Sequence, residues 1–198
     1  MSRPPRVCVL GDSFVAGVGD PAGLGWTGRL AARTQAAGLD VTLYPLGIRG
    51  ETAVELGDRW RRELRPRLPP AVRGAVVLAS GVNDGDPRRA AAAVLTAARG
   101  VRARRHAVLV LGPPPFADPG EAELARGLEA ALAGGCAHHG LAFAPVLDAL
   151  VADGRWLPEA AAGDGDHPGA GGYAAYADVV WEHGWPAWLS GQPAAPPP

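Results

Sequence analysis

The sequence predicts an α/β fold of three layers, a five-stranded parallel sheet with helices on both faces, and three observations predict it. Five short apolar runs of strand length recur along the chain, several rich in valine. Longer stretches of helical character separate them. Parallel strands need a crossover, and that crossover is usually a right-handed helix packed back onto the sheet, so regular alternation reads as a covered parallel sheet.

In chain order, the first strand is Val7–Leu10, followed by a helical stretch at Trp26–Ala37. The second strand, Val41–Leu46, leads to helical character over Thr52–Leu64, and the third, Ala75–Ala79, to a helix over Pro87–Arg99. Pro87 suits a first turn, where its missing N–H has no intrahelical partner to lose, and Asp86 before it is a natural N-cap. Ala107–Leu111 and Leu141–Ala144 complete the strands, with helices at Glu121–His138 and Gly172–Trp181. No internal repeat or interdomain linker interrupts this order. The expected organisation is one domain over residues 1–190 and a proline-rich, disordered tail over 191–198.

Composition removes several classes of function. At 198 residues with 47% hydrophobic content, the chain has enough apolar material for one core without disulfides or metal. A net charge of −1 argues against nucleic-acid binding, which draws on a basic surplus to neutralise phosphates. All 19 cationic side chains are arginine, so neither a lysine Schiff base nor a P-loop lysine is available. The apolar run at Val7–Leu10 is too short for a signal-peptide core or a membrane span, which makes the cytoplasm the expected location. Cys8 and Cys136 read as buried, reduced thiols without a function.

Covered parallel sheets place chemistry at the carboxyl ends of their strands. Just past the first strand stands Gly11-Asp12-Ser13-Phe14. Ser13 is placed as a nucleophile would be, although a serine there serves equally as a turn or cap residue. A hydroxyl becomes a good nucleophile when a base accepts its proton, and the base works best when a carboxylate fixes its tautomer. Asp164-Gly165-Asp166-His167-Pro168 holds such a base and carboxylate in one loop, with an N-cap cluster before a helix as the plainer reading. Two further strand ends carry potential oxyanion donors: Gly50 in Leu46-Gly47-Ile48-Arg49-Gly50-Glu51-Thr52, and Asn83 in Gly81-Val82-Asn83-Asp84. Each alone also reads as a turn. Asp12 and Asp84 fit structural roles, bonding backbone amides of their loops.

Taken in order from Gly11 to Pro168, these four blocks resemble the SGNH hydrolase superfamily, also called GDSL esterases and lipases. The resemblance implies a triad of Ser13, Asp164 and His167, with an oxyanion hole formed by the Ser13 and Gly50 N–H groups and the Asn83 side chain. It also implies a doubly wound sheet of flavodoxin-like strand order and no cofactor or metal. The implied activity is hydrolysis of carboxylic esters of small acyl substrates through an acyl-enzyme, with thioesters, lysophospholipids and acetylated sugars presenting the same carbonyl. Two positions depart from the family pattern: Pro45, where asparagine is frequent, and Asp166, where an uncharged residue is common. Asp166 offers His167 a second carboxylate, and Asp164 is preferred as the orienting group on spacing.

Two other readings draw on the same residues. Asp12, Asn83, Asp84, Asp164, Asp166 and His167 form a possible ligand set for a metal-dependent phosphoesterase, although one histidine is few for a dinuclear site. The glycine-rich Gly17–Gly23 suggests a non-catalytic ligand-binding module, but its spacing misses G-x-G-x-x-G and Pro21 interrupts it. Ile48–Arg49, Pro113–Phe116 and Trp156–Leu157 are the expected pocket lining, with Arg49 pointing to solvent. The leaving group and the oligomeric state are not legible at this level.

Overall fold

The computed structural model describes residues 5–69, 72 and 74–191. Five parallel strands form one sheet in the order β2-β1-β3-β4-β5: β1 (Arg6–Gly11), β2 (Thr42–Gly47), β3 (Ala75–Ala79), β4 (Ala107–Leu111) and β5 (Ala142–Ala144). This is the flavodoxin-like order expected above. The third and fourth strands match the sequence reading to the residue, and the others differ by one residue at one or both ends. Of the expected tail over 191–198, residues 192–198 lie outside the described residues.

Right-handed crossovers explain which helix lies on which face. The chain leaves β1 toward β2 and then reverses direction for β3, β4 and β5. Accordingly α1 (Ser13–Ala16) and α2 (Gly25–Ala36) lie on one face, and α3 (Ala53–Arg67), α4 (Pro87–Arg102) and α5 (Pro119–His139) on the other. After β5 the chain returns to the first face with α6 (Leu147–Asp153), α7 (Trp156–Ala162), α8 (Ala170–Glu182) and α9 (Trp185–Leu189). Of these, α1, α6, α7 and α9 were not anticipated. All four are short, and their residues carry little helical periodicity of their own.

Strand alternation divides the interior into two cores. Val7, Val9 and Val77 meet Trp26 of α2 and Tyr173 and Tyr176 of α8, while Cys8, Leu10 and Val76 meet Trp60 of α3 and Leu128 of α5. Trp26 stacks on Tyr176 with ring centroids 4.9 Å apart. Cys8 and Cys136 are buried free thiols, and burial pushes them up, to about 12 for Cys8 and about 11 for Cys136, which keeps them protonated and inert.

The reversal between β1 and β3 opens a crevice at their carboxyl ends, the position where doubly wound sheets bind ligands. Ser13 follows β1 and the Gly81–Asp84 loop follows β3. Among the described residues, no helix is long and apolar enough to cross a membrane.

Candidate active site

Ser13 opens α1 directly behind β1, so intrahelical bonding leaves its N–H free. The preceding Asp12 caps this turn by accepting the Phe14 N–H at 3.0 Å. Ser13 is only 6% exposed, and its Oγ lies 2.8 Å from Nε2 of His167. His167 Nδ1 is in turn 2.8 Å from Oδ2 of Asp164. A carboxylate at Nδ1 requires a proton there, which leaves Nε2 as the acceptor facing the hydroxyl.

Asp164 is locked by its own loop. Its Oδ1 accepts the backbone N–H groups of Asp166 and His167 at 3.1 and 2.9 Å. The His167 N–H leads the interactions that hold the Asp164 carboxyl down to about 2, so it stays ionised across the range in which an imidazole titrates. Asp166 gives the loop its backbone N–H, while its side chain lines the neighbouring pocket. The N-cap reading of this cluster does not hold, because the first turn of α8 is satisfied elsewhere. Glu159 of α7 accepts the Gly171 and Gly172 N–H groups at 3.1 and 2.8 Å. Nothing in the local sequence marks Glu159, which acts across a chain reversal.

The glycine-rich loop before α2 buttresses the imidazole. Asp20 accepts the N–H groups of Ala22, Leu24 and Gly25 and pairs with Arg29. The Arg29 guanidinium is the main reason the Asp20 carboxyl is held down to about 2. This shape carries Gly19 against the histidine loop, where a Cβ would come within 2.7 Å of Pro168 O and 3.0 Å of His167 Cβ. Tyr173 Oη donates to Val18 O at 2.7 Å, and the Phe14 ring lies 4.9 Å from the imidazole.

The other two loops are bound to one another. Glu51 N–H closes a turn on Ile48 O with Gly50 at φ 75°, a left-handed conformation that disfavours side-chain-bearing residues. Asn83 Nδ2 donates to Glu51 O at 2.9 Å, which fixes the amide and leaves its second hydrogen for another acceptor. Asp84 accepts the Ala53 N–H at 2.8 Å. Beneath this turn Glu51 and Arg59 form a buried ion pair, and Arg59 Nη2 also donates to Leu46 O at 2.7 Å and Gly11 O at 3.3 Å. One guanidinium thus ties the ends of β1 and β2 to the Gly50 loop. The sequence reading did not include this pair.

Desolvation raises the buried Asp12 carboxyl to about 7, with Glu51 and Asp84 adding negative field against the Phe14 N–H. The folded chain therefore holds a proton that the unfolded chain releases near its ordinary value of 3.8, and this contribution to stability is lost as pH rises from about 4 through about 7. Asp12→Asn keeps an acceptor for Phe14 and cannot ionise. The variant is expected to melt several degrees above the parent near pH 8 and to converge with it only near pH 4 and below, on the order expected from linkage. Parallel melting curves across that range would refute the buried-carboxyl assignment.

A pocket of about 340 Å³ opens beside Ser13 and His167, between the Gly81–Pro87 loop and α5. Of the expected lining only Phe116 contributes. Trp156 is fully buried against Phe14, Tyr173 and Tyr176, because α7 packs inward on α8. Arg49 is exposed, with its guanidinium 4.0 Å from Asp164 Oδ2. The metal-ligand set considered above is not assembled: among the described residues no three His, Cys, Asp or Glu side chains converge to hold an ion, and Asp12 and Asp84 face backbone amides instead.

A doubly wound sheet with a serine, an imidazole and a carboxylate hydrogen-bonded in series at its switch point is the layout of an SGNH-type ester hydrolase. Residues 9–175 match the model of the GDSL-like lipase/acylhydrolase family, and the chain belongs to that family. No curated protein sequence matches it significantly. Among solved structures it is similar to TesA, with 24% identity and a TM-score of 0.76 over 91% of this chain and 98% of that one. It is also similar to Axe2, an acetylxylan esterase from Geobacillus stearothermophilus, with 17% identity and a TM-score of 0.74 over 90% and 93% of the two chains. A member of the lipolytic G-D-S-L family from Veillonella parvula gives 18% identity and a TM-score of 0.74 over 89% and 96%. At these identities the structural likeness speaks for the fold, and the family model for the enzyme class.

Proposed function

We propose that this chain hydrolyses carboxylic esters of small acyl groups, with Ser13 as nucleophile, His167 as general base and acid, and Asp164 as the group that orients and stabilises the imidazole. The observation that carries this reading is the continuous chain of 2.8 Å contacts from Asp164 Oδ2 through His167 to Ser13 Oγ. In the first step Oγ attacks the ester carbonyl carbon while Nε2 takes its proton. The carbonyl oxygen becomes an oxyanion, for which the Ser13 and Gly50 N–H groups and the Asn83 amide are the donors. Collapse breaks the bond to the leaving oxygen, which receives the proton from Nε2, and the acyl group remains on Ser13. Water then attacks this ester with the same imidazole as base, and the acid departs. We place the enzyme in the cytoplasm, a setting in which the buried thiols Cys8 and Cys136 remain reduced.

A fluorophosphonate, which resembles the tetrahedral intermediate, tests the assignment directly. Peptide mass spectrometry is expected to find a single adduct on Ser13, formed at least ~100-fold more slowly in His167→Ala, and hydrolysis is expected to proceed unchanged with EDTA. An adduct on Ser80 or Ser190, or activity lost to the chelator, would overturn it.

A further inference from the structure

The pocket beside Ser13 carries a charge pattern that bears on which acyl group it accepts, an inference that rests on the esterase reading above. Part of its lining is apolar, from Val82 of the β3 loop, Phe116 before α5, and Leu124 and Leu128 on α5. Leu124 is 42% exposed, a large aliphatic side chain without cover at the mouth. Such a surface takes methylene groups out of water.

The ionisable groups around that apolar surface are of one sign. Besides His167, the pocket is lined by Asp86, Glu121 and Asp166, and among the described residues no arginine lines it. The three acids come from three separate elements. Asp86 is fixed as the N-cap of α4, accepting the Arg88 and Arg89 N–H groups at 2.9 and 3.2 Å. Glu121 stands in the first turn of α5, and Asp166 belongs to the histidine loop. The nearness of Asp166 registers on Glu121, whose carboxyl is raised above its ordinary value by partial desolvation and by the charges of Asp166 and Asp118. Arg49 stands against Asp164 and does not line this pocket.

We propose that this pocket holds the acyl group and selects acyl groups whose far end is neutral or cationic, rejecting those that end in a carboxylate or another anion. The apolar surface binds the methylenes whatever the end group. An anionic terminus in this pocket meets three lining carboxylates of like charge, with no arginine among the lining residues to offset them. A cationic terminus meets the same field with the opposite sign.

Three p-nitrophenyl esters with one leaving group test this: the hexanoate, the ω-trimethylammoniohexanoate and the adipate monoester, which differ only at the far end of the acyl chain. At low ionic strength kcat/KM for the neutral and cationic esters is expected to exceed that for the adipate by about tenfold, with the gap narrowing as salt is added. The double variant Glu121→Gln, Asp166→Asn is expected to bring the ratio of hexanoate to adipate to within about twofold. A flat charge series in an enzyme that still requires Ser13 would overturn the preference and leave the esterase reading intact, as would a ratio that neither salt nor the double variant moves. Hydrolysis of all three esters that survives Ser13→Ala would overturn both.

Discussion

Ser13→Ala is expected to lower kcat/KM for p-nitrophenyl acetate by about 10⁴-fold or more while leaving the melting temperature within a few degrees of the parent. The size follows from what the hydroxyl supplies. With Oγ gone the proposed mechanism has no atom to carry the acyl group, and the donors proposed at Gly50 and Asn83 are left to polarise a carbonyl that only bulk water can attack. That is a loss of about 5.5 kcal/mol or more of transition-state stabilisation. The small effect on stability follows from the same structure. The Ser13 side chain makes one hydrogen bond, to His167, and the turn around it is held by Asp12 and by the packing of Phe14. Paired measurement of esterase kinetics and thermal melting checks both halves. A variant that kept more than about a tenth of the activity would reject Ser13 as nucleophile.

Arg59→Met is expected to cost about 3–5 kcal/mol of stability, the largest loss from any single change considered for this chain. The guanidinium is buried with Glu51, and its removal leaves that carboxylate without its counter-charge as well as the Leu46 and Gly11 carbonyls without their donor. For a domain of this size such a cost corresponds to a drop of roughly 10 °C in melting temperature. Because the same pair holds the loop that carries Gly50 and the Glu51 carbonyl that fixes Asn83, activity measured well below the melting point is expected to fall as well. Replacing both partners, Glu51→Leu with Arg59→Met, is expected to recover part of the stability and little of the activity, since the buried charge is gone but the loop is still untied. Denaturant melts of the single and double variants separate these effects. A cost below about 1 kcal/mol for Arg59→Met would mean that the pair is dispensable.

The sheet was legible in the sequence because its strands are short valine-rich runs between longer stretches, and a parallel sheet leaves few ways to connect them. The same locality exposed the four loops. Each sits next to a strand end or the last helix, and each carries its polar residues within a handful of positions. The structure brings Ser13, Asp164 and His167 into contact and sets Gly50 and Asn83 in loops bonded to each other. The supports beneath these residues were not legible, for a physical reason. Arg59 reaches two backbone carbonyls and a carboxylate from three separate stretches of chain, Glu159 caps a helix across a reversal, and Gly19 matters only because His167 arrives beside it. No local pattern encodes such meetings. Trp156 shows the opposite error. A tryptophan near the histidine loop suggested a pocket wall, and the short helix α7 instead turns it into the core between Phe14 and α8.

The bond between Ser13 and His167 joins residues 154 positions apart; the histidine loop is packed against Gly19 of the loop before α2, and a carboxylate on α7 holds the first turn of α8 that follows it. Contacts of such long separation close late, after the loop entropy between them has been overcome. On the proposed mechanism, a chain that has formed only its sheet and the first five helices has Ser13 in place but lacks His167 to activate it. Return of activity during refolding therefore marks the arrival of the final segment. On that mechanism activity reports the completion of the fold, and a partly folded population with paired strands is expected to be catalytically silent.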